Sequence, residues 1–542
     1  MRLARLGRSR YRRASSNRRG SQTVYDVLIV GYGPTGMLAA ALLGRAGHRV
    51  AVFERYKSLY NLPRVGIVHD DVLRMFQETG CIDRVWPSTH FLPVYELAKN
   101  GRVLLSSDVA PKATHGWPEY ISIYQPAFEA ELDAIAKAQP SVSVFQGECV
   151  IGLTQDTQAV SIEVENDRGE RRRVQGRYLI GADGGNSFVR EALGIAYEDL
   201  GFDQDWLVID AKAKRPRPGL PAMRQFCEPE QPGVTLQMGP QHRRWSFMIF
   251  PGESAEDAVK PESVWRRLDR PEGATPDEYE LIRVASYKFQ SLYAERWRDR
   301  RAFLAGDAAH QMPPFLAQGL CSGFRDAHNL AWKLDLVLKG AASDAFLDSY
   351  EAERGPNARA TILESMRVGQ HVNERDPEKV RQRDAQLIAQ QAAKERAAGP
   401  KQLIAFRVPG FNAGFIARTG NGTRGAGDAL AQAEVSRDGR QGRFDDIAGR
   451  GFMIMARNDD PAAALSQQDR DYWRGLGGDF VRFANDGHGD AVVDVEGVYG
   501  RLLDEYGCDV IVKRPDYYIF GVCPTVRELP ALLADLRAQL AG

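Results

Sequence analysis

The sequence predicts an α/β protein with a Rossmann-like first domain, an antiparallel-sheet domain inserted into it, and a small α/β domain at the C-terminus. Three observations predict this organisation. A strand, a glycine-rich turn and a helix open at residues 24–46, aromatic-rich strand patterns fill residues 201–295, and strands alternate with helices after residue 425. With 542 residues the chain exceeds one ordinary core, so two or three domains are expected.

The composition is that of an ordinary globular protein, with 43% hydrophobic and 26% charged residues. The sequence has no apolar run of membrane-spanning length, so no membrane partner is expected. The net charge is zero, but an Arg-rich leader at residues 1–22, which we expect to be disordered, leaves the remainder acidic. That remainder therefore has no expected nucleic-acid surface.

The six cysteines show neither a C-x-x-C pair nor a zinc spacing. We therefore expect no metal site and no disulfide. A reducing, cytoplasmic setting fits this cysteine usage best.

A dinucleotide-binding turn is the first motif. An apolar strand over Val24 to Val30 runs into Gly31, Gly33 and Gly36, which open a helix predicted over residues 37–46. A lone glycine pattern is weak, but the order of strand, glycines and helix is the context that the motif requires.

A second predicted strand over residues 49–53 ends at Glu54, about 20 residues after the first glycine, where a βαβ unit places an acid for ribose hydroxyls. An acid at this place favours an unphosphorylated ribose. The adenosines of FAD and NAD both satisfy it, so this motif alone leaves both open.

Several polar residues follow on turns. Arg64 comes after a proline turn and is either a surface charge or a contact for pyrophosphate or flavin. His69 precedes a helix predicted over residues 70–77, and Tyr124 and Gln125 lead into another over residues 127–137.

Two further strands end in acidic, glycine-containing turns, at Asp183 and at Asp307. After the second, a Pro-Pro break precedes Gly319, where a long helix is predicted to begin. Free amides and the positive end of that helix would stabilise negative charge on a bound ligand, such as the carbonyl edge of a reduced flavin.

The segment from residue 205 to about 295 is typical of a separate antiparallel sheet. Most of its aromatic residues are expected in the core, although some of Trp206, Phe226, Trp245 and Phe247 are candidates for pocket walls. Three of its cations could bind a substrate carboxylate: Arg224, His242 and Arg243. Each could also be a solvated surface charge.

The glycine motif at 31–36, Asp-Gly at 183–184 and Gly-Asp at 306–307 follow one another in this order. With them the sequence resembles the class A FAD-dependent aromatic hydroxylases of the para-hydroxybenzoate hydroxylase fold, over about residues 23–375. Residues 63–77, 181–195 and 301–334 are most similar to 3-(3-hydroxyphenyl)propionate hydroxylases and related resorcinol hydroxylases. The tail resembles the thioredoxin-like domain, without a dithiol, of many of these enzymes.

The resemblance implies which residues contact FAD: Gly31, Gly33, Gly36, Glu54, Arg55, Arg64, Gln125, Asp183 and Asp307, with Gly319 and Leu320 beside the isoalloxazine. Ala317 and Cys321 stand where many relatives have Gly and Asn, so packing on the flavin is expected to differ. No residue is marked as the catalytic base, and His69 and Tyr124 are the tentative candidates.

The implied activity is a monooxygenation. NADH or NADPH visits transiently and reduces FAD, O₂ adds to give a flavin C4a-hydroperoxide, and a phenolic ring is hydroxylated ortho to its hydroxyl. The expected substrate is a 3-(3-hydroxyphenyl)propionate-like or resorcinol-like compound. An aromatic polyketide hydroxylase and a non-catalytic flavin-binding protein remain open as alternative functions. A homodimer is a possible assembly.

The predicted domain boundaries follow from these patterns. They are 1–22 for the leader, 23–95, 123–200 and 296–375 for the FAD-binding domain, 96–122 and 201–295 for the substrate domain, 376–424 for a helical linker, and 425–542 for the thioredoxin-like domain.

Overall fold

The computed structural model of the protein describes residues 24–215, 217, 219–396, 407–418, 420–484 and 491–542. The predicted leader and residues 397–406 of the predicted linker lie outside the described residues.

The strands of the described residues are, in chain order, β1 Val24–Val30, β2 Val50–Glu54, β3 Ile67–His69, β4 Thr89–Phe91, β5 Val94–Lys99, β6 Arg102–Asp108, β7 Tyr120–Ile123, β8 Val142–Gln146, β9 Glu148–Gln155, β10 Val160–Asn166, β11 Arg171–Gly181, β12 Tyr197–Ala213, β13 Met223–Phe226, β14 Gly233–Met238, β15 His242–Met248, β16 Tyr279–Ala294, β17 Arg298–Asp299, β18 Ala302–Leu304, β19 His310–Gln311, β20 Glu434–Arg437, β21 Arg440–Arg443, β22 Met453–Arg457, β23 Asp479–Phe483, β24 Val493–Asp494, β25 Val510–Lys513 and β26 Ile519–Cys523.

The α-helices of the same residues are α1 Pro34–Arg45, α2 Asp70–Thr79, α3 Ile82–Val85, α4 Gln125–Lys137, α5 Phe188–Ala192, α6 Ala255–Ala258, α7 Pro261–Glu272, α8 Gln318–Leu338, α9 Ser349–Val372, α10 Pro377–Arg396, α11 Phe444–Ile447, α12 Gln467–Gly475, α13 Val498–Tyr506 and α14 Leu529–Ala541.

The first sheet is the predicted parallel sheet. Strands β18, β11, β1, β2 and β8 pair side by side in parallel, and β17, β10 and β9 extend it with antiparallel pairs. Val30 pairs with Phe53 on one side and with Gly181 on the other, and Gly181 pairs with Leu304. The carboxyl ends of four strands therefore meet at one edge, which brings the turns after them together.

A second eight-stranded sheet runs in the order β19, β16, β12, β15, β14, β13, β5 and β6. It is antiparallel except where β13 meets β5, which is a parallel pair. Strands β12 and β16 are the longest, and both bulge within their shared ladder. This agrees with the antiparallel sheet predicted over residues 205–295. Strands β5 and β6 also belong to it, and they lie mostly within residues 96–122, which are assigned to the same predicted domain.

One face of this second sheet is covered by helices and carries a core of aromatic residues. Phe226, Trp245 and Phe247 pack there with Leu268 of α7. Because side chains alternate along a strand, the neighbouring residues point to the other face, toward the first sheet.

The C-terminal part has a four-stranded mixed sheet in the order β23, β22, β25 and β26. Strand β22 is parallel to β23 and antiparallel to β25, and a small sheet of β21, β20 and β24 lies beside it. Tyr499 and Leu503 of α13 pack into its core.

Among the described residues no helix is long and apolar enough to cross a membrane.

Candidate active site

A cavity of about 800 Å³ lies between the carboxyl edge of the parallel sheet and the open face of the antiparallel sheet. Most of the residues predicted to contact the cofactor lie in its walls: Gly31, Gly33, Glu54, Arg55, Arg64, Gln125, Asp183, Asp307, Gly319 and Leu320. Gly36 does not line it. The edge of the sheet therefore assembles the predicted set in one place.

The three glycines of the first turn are needed for three different reasons. Gly31 has a left-handed φ of +98°, and a Cβ there would lie 2.3 Å from the carbonyl oxygen of Ala182. A Cβ on Gly36 would lie 2.2 Å from the carbonyl oxygen of Gly31, so α1 can pack on the turn only without a side chain. A Cβ on Gly33 would meet nothing within 4 Å, which leaves the start of α1 open to the cavity.

The start of α1 has no side-chain cap, and Pro34 occupies its first turn. Its free backbone amides and the positive end of the helix dipole therefore face the cavity, which suits a phosphate group.

Glu54 is oriented by two backbone amides. One carboxylate oxygen accepts a hydrogen bond from Tyr32 N at 2.8 Å, and the other from Tyr56 N at 2.9 Å. An oxygen that accepts one hydrogen bond keeps a lone pair, so the carboxylate remains able to accept a hydroxyl from a ribose.

Gln125 holds the loop that carries Arg64. Its side-chain oxygen accepts hydrogen bonds from Arg64 N at 2.8 Å and Val65 N at 2.6 Å, and its amide nitrogen donates to Glu129. Glu129 also pairs with the guanidinium of Arg64 at 3.1 Å. Gln125 is therefore committed to the loop and would act on a ligand mainly by positioning Arg64.

Asp183 and Asp307 stand at equivalent strand ends but differ in their partners. Asp183 accepts hydrogen bonds from Ser187 Oγ at 2.5 Å and from Val189 N at 3.0 Å, so it caps its own turn. The carboxylate of Asp307 accepts no hydrogen bond from the described residues and faces the cavity. The side chain is exposed to the cavity, but the protein around it limits its solvation and raises the pKa of Asp307, against the lowering effects of His310 and Arg64.

Helix α8 begins at the cavity. The residue before it, Ala317, has a left-handed φ of 55°, a conformation that glycine adopts without strain. The strain on an alanine there is on the order of 1–2 kcal/mol. The helix nevertheless begins directly after this alanine, at Gln318.

Gln318, the first residue of α8, is fully buried and tied on both sides. Its amide nitrogen lies 2.8 Å from His69 Nε2, and its oxygen accepts from Arg325 Nη1 at 2.8 Å. Burial lowers the pKa of His69 to about 4, so the ring is neutral and accepts the hydrogen bond. These contacts hold the amides of residues 319 and 320 against the cavity.

The candidate bases do not lie in the cavity walls. His69 sits behind the start of α8, 4% exposed, and its neutral ring is used by Gln318. Tyr124 stacks on His242 with ring centroids 3.9 Å apart, outside the walls. Neither His69 nor Tyr124 therefore lines the cavity, and both contact residues that lie outside or behind its walls.

The open face of the antiparallel sheet forms the far wall. Cross-strand pairing places Val208, Ser246, Val234 and Gln225 in one row across β12, β15, β14 and β13. Trp206 contributes to the same wall from the next row, and all five line the cavity. This wall is mainly apolar, with two neutral polar side chains in its central row.

The cations expected on this sheet do not reach the cavity. Arg224 pairs with Glu96 at 2.7 Å, Arg243 pairs with Glu272 at 2.6 Å, and His242 stacks on the tyrosine ring. The prediction that one of these three cations lines the pocket is therefore wrong. Side chains alternate between the two faces of a strand, and Arg243 points to the face that the helices cover. Of the four candidate wall aromatics, Trp206 lines the cavity and the other three belong to the opposite core.

Arg244 is the cation that the sequence reasoning missed. It pairs with the buried Asp210 through two hydrogen bonds of 2.7 and 2.9 Å and donates to the backbone oxygens of Pro63 and Arg64. Its charge is balanced, and it joins the second sheet to the Arg64 loop. The alternation within residues 242–248, aromatic on one face and polar on the other, was the signal that could have found it.

Comparisons with known proteins identify the family of the chain. A family model described as FAD binding domain matches residues 24–365, and one described as HcaD C-terminal domain matches residues 427–539. A protein named "Probable NADH-specific resorcinol 4-hydroxylase" from Rhodococcus jostii (strain RHA1) is 39% identical over 520 residues, 95% of each chain. A 3-(3-hydroxy-phenyl)propionate/3-hydroxycinnamic acid hydroxylase from Paraburkholderia xenovorans (strain LB400) is 31% identical, over 97% of this chain and 93% of the relative.

Solved structures share the fold. The flavin-dependent monooxygenase PieE, in complex with FAD and substrate, superposes with a TM-score of 0.80 at 22% identity, over 95% of this chain and 99% of that one. Aklavinone-11 hydroxylase, with FAD and aklavinone, superposes with a TM-score of 0.77 at 24% identity, over 95% and 99%.

The fold and the cleft define the class of FAD-dependent monooxygenases. The chain belongs to the FAD binding domain family, and its cofactor is FAD. The residues present fit this cofactor: α1 starts open to the cavity, Glu54 keeps lone pairs for a hydroxyl, and the Asp307 carboxylate accepts no hydrogen bond from the described residues.

Proposed function

We propose that the protein uses NADH and O₂ to hydroxylate a single-ring phenol ortho to its hydroxyl. The observation that carries this proposal is the continuous cavity, which joins the Glu54 edge of the parallel sheet to the mainly apolar face of the antiparallel sheet. The names of the relatives, a resorcinol hydroxylase described as NADH-specific and a hydroxyphenylpropionate hydroxylase, support phenols and NADH.

FAD, when bound, would supply the redox chemistry, namely acceptance of a hydride from NADH and activation of O₂ for transfer of one oxygen atom to the ring. The protein's residues bind and orient the cofactor. Glu54 holds the adenosine ribose, the start of α1 holds the pyrophosphate, and Arg64 lies within reach of the phosphates or the flavin.

The start of α8 supplies backbone amides toward the flavin. Gln318, held by His69 and Arg325, keeps these amides in place, so His69 acts as a positioning residue and not as a base. The apolar wall of Val208, Val234 and Trp206 excludes water from the ring, which protects a reactive oxygen donor from wasteful decay.

The size of the cavity favours a single ring over a fused polyketide. Sites for drug-sized ligands are about 300–1,000 Å³, and this cavity of about 800 Å³ takes the cofactor as well as the substrate. The relatives are named hydroxylases, so a flavin-binding protein without turnover is the weaker alternative.

The test of this proposal is an NADH-oxidation assay with hydroxylated product measured in parallel. We expect resorcinol or 3-(3-hydroxyphenyl)propionate to accelerate NADH oxidation, with product formed in proportion. The proposal would be overturned if neither phenol changed the rate of NADH oxidation and hydrogen peroxide were the only product.

A first prediction concerns Glu54. We expect Glu54→Ala to weaken FAD binding about 5- to 150-fold, because the loss of a desolvated hydrogen bond to a hydroxyl costs about 1–3 kcal/mol. Equilibrium dialysis of the apoprotein against FAD measures this. FMN, which lacks the adenosine ribose, is the control: its binding should not change, and an equal loss for both flavins would contradict the assignment.

We also propose that residues 425–542 form a thioredoxin-like domain without a redox role. Support comes from the mixed four-stranded sheet with helices packed on it. Its cysteines, Cys508 and Cys523, are buried and free, and burial raises their pKa values to about 11 and about 12, so both stay protonated and unreactive at neutral pH.

A second prediction follows for these thiols. We expect the double variant Cys508→Ser, Cys523→Ser to keep kcat and KM within about twofold, with at most a lower thermal midpoint from two buried hydroxyls. Turnover with the preferred phenol and FAD absorbance measure this. A large loss of turnover in a variant with full FAD content would assign the pair a chemical role.

Free cysteines throughout the described residues and the use of NADH support a cytoplasmic setting, and a homodimer stays a prediction to be tested by sedimentation.

A further inference from the structure

Gln225, on strand β13, is a polar side chain without a partner in the cavity wall. It is 3% exposed, its side-chain oxygen is buried without a hydrogen bond, and its side-chain nitrogen donates to no described residue. Buried polar groups are nearly always paired, so an unpaired carboxamide in a ligand cavity indicates a hydrogen bond that a ligand completes.

The register of the sheet shows where that ligand lies. Gln225 pairs with Val234, and Val234 pairs with Ser246, so the three side chains form one row. The outer two are two strands apart, which is about 10 Å. An aromatic ring laid over Val234 therefore has a neutral hydrogen-bonding group on either side.

The charges around this row exclude an anionic substituent. Of the described residues on this face of the sheet, Arg244 is the cation in the cavity wall, and its charge is balanced by Asp210, which is fully buried. A carboxylate placed on this wall would lose its hydration without gaining an unpaired cation, which is unfavourable. A hydroxyl needs only a neutral partner.

We propose that Gln225 binds a second, uncharged hydroxyl on the ring, and that the substrate is therefore a neutral benzenediol and not a phenolic acid. This rests on the proposed phenol hydroxylation. A carboxamide both donates and accepts, so it suits a hydroxyl in either role, and it makes Gln225 a specificity-determining residue of the pocket.

The test pairs enzyme variants with substrates that differ by one hydroxyl. The holoenzyme and Gln225→Met are each titrated with resorcinol and with phenol, and dissociation constants are read from the flavin absorbance. We expect Gln225→Met to weaken the binding of resorcinol about 10-fold or more, which corresponds to the loss of one hydrogen bond. The binding of phenol should weaken by less than about twofold. Gln225→Leu serves as a second variant if Met disturbs FAD content.

Thr235→Val is the matched control. Thr235 is fully buried on the neighbouring strand and its hydroxyl also lacks a partner, but it points to the other face of the sheet and does not line the cavity. We expect it to leave the resorcinol-to-phenol ratio unchanged.

Three results separate the possibilities. Equal weakening of both phenols by Gln225→Met, or none, overturns the role of Gln225. A wild-type enzyme that hydroxylates 3-(3-hydroxyphenyl)propionate more efficiently than resorcinol overturns the neutral substrate. If the wild type hydroxylates none of the three, the proposed phenol hydroxylation itself fails, and this assignment with it.

Discussion

Asp307→Ala is expected to purify largely without FAD, whereas Asp183→Ala retains most of it. The two carboxylates end neighbouring strands, but Asp183 is satisfied by Ser187 and Val189 within its own turn. Asp307 accepts nothing from the described residues and faces the cavity in front of α8. A charge-assisted hydrogen bond to a ligand is worth about 1.5–3 kcal/mol, so its loss should weaken FAD about 10- to 150-fold.

The ratio of flavin absorbance to protein absorbance after purification, followed by titration of the apoprotein with FAD, measures this difference. Asp183→Ala is the matched control, because it removes a carboxylate from the same sheet edge. It should lower the thermal midpoint, since Ser187 Oγ and the amide of Val189 lose their acceptor, while the affinity for FAD changes little. Full FAD occupancy in Asp307→Ala, or equal losses in both variants, would refute the distinction.

Much of the fold could be predicted because its signals are local. The apolar run before Gly31 and the close approach of Gly36 to the carbonyl of Gly31 are properties of a few consecutive residues. The structure has β1 at the predicted limits, and α1 begins at Pro34, three residues before the predicted start. The helix predicted over residues 70–77 begins at Asp70 in the structure and continues two residues further, to Thr79. Periodicity and glycine turns specify such elements without knowledge of the rest of the chain.

The far wall of the cavity could not be predicted in the same way. Which residues of β13, β14 and β15 face the cavity depends on strand pairing, and a shift of one residue would exchange Arg243 for Arg244 and Trp245 for Ser246. Composition marked Arg224, His242 and Arg243 as cations, but only the three-dimensional structure shows that two of them are paired and one is stacked. The unpaired state of Gln225 is likewise a property of the assembled sheet.

The contact between the first domain and the C-terminal domain could also not be predicted from the sequence. Glu353 of α9 lies at its centre, 1% exposed. It accepts hydrogen bonds from Asn329, Lys333 and Arg514, at 2.7, 2.8 and 2.6 Å, and from the backbone of Phe415. Arg514 belongs to the C-terminal domain, so this buried carboxylate joins distant parts of the chain.

Glu353→Gln should destabilise the protein strongly. Burial opposes the ionised carboxylate, but the charges of Arg514 and Lys333 outweigh it and hold the pKa of Glu353 below its usual value. Without that charge, Asp516 is the ionised partner that the described residues leave to the two buried cations, Arg514 and Lys333. Removal of one partner from a buried pair typically costs about 3–5 kcal/mol. Thermal unfolding and the rate at which a protease releases the C-terminal domain measure this cost.

Glu364→Gln is the control, because Glu364 pairs with the exposed Arg367 on the same helix. Exposed pairs contribute about 0–1 kcal/mol, so the two variants should differ clearly at neutral pH. A carboxyl group whose pKa is lowered in the folded protein stabilises it above the pKa of the unfolded chain, and this contribution disappears as the pH falls through the folded value. The gap between wild type and Glu353→Gln should therefore narrow in acid. A gap that is small at neutral pH, or that widens in acid, would show that the ion cluster does not hold the C-terminal domain in place.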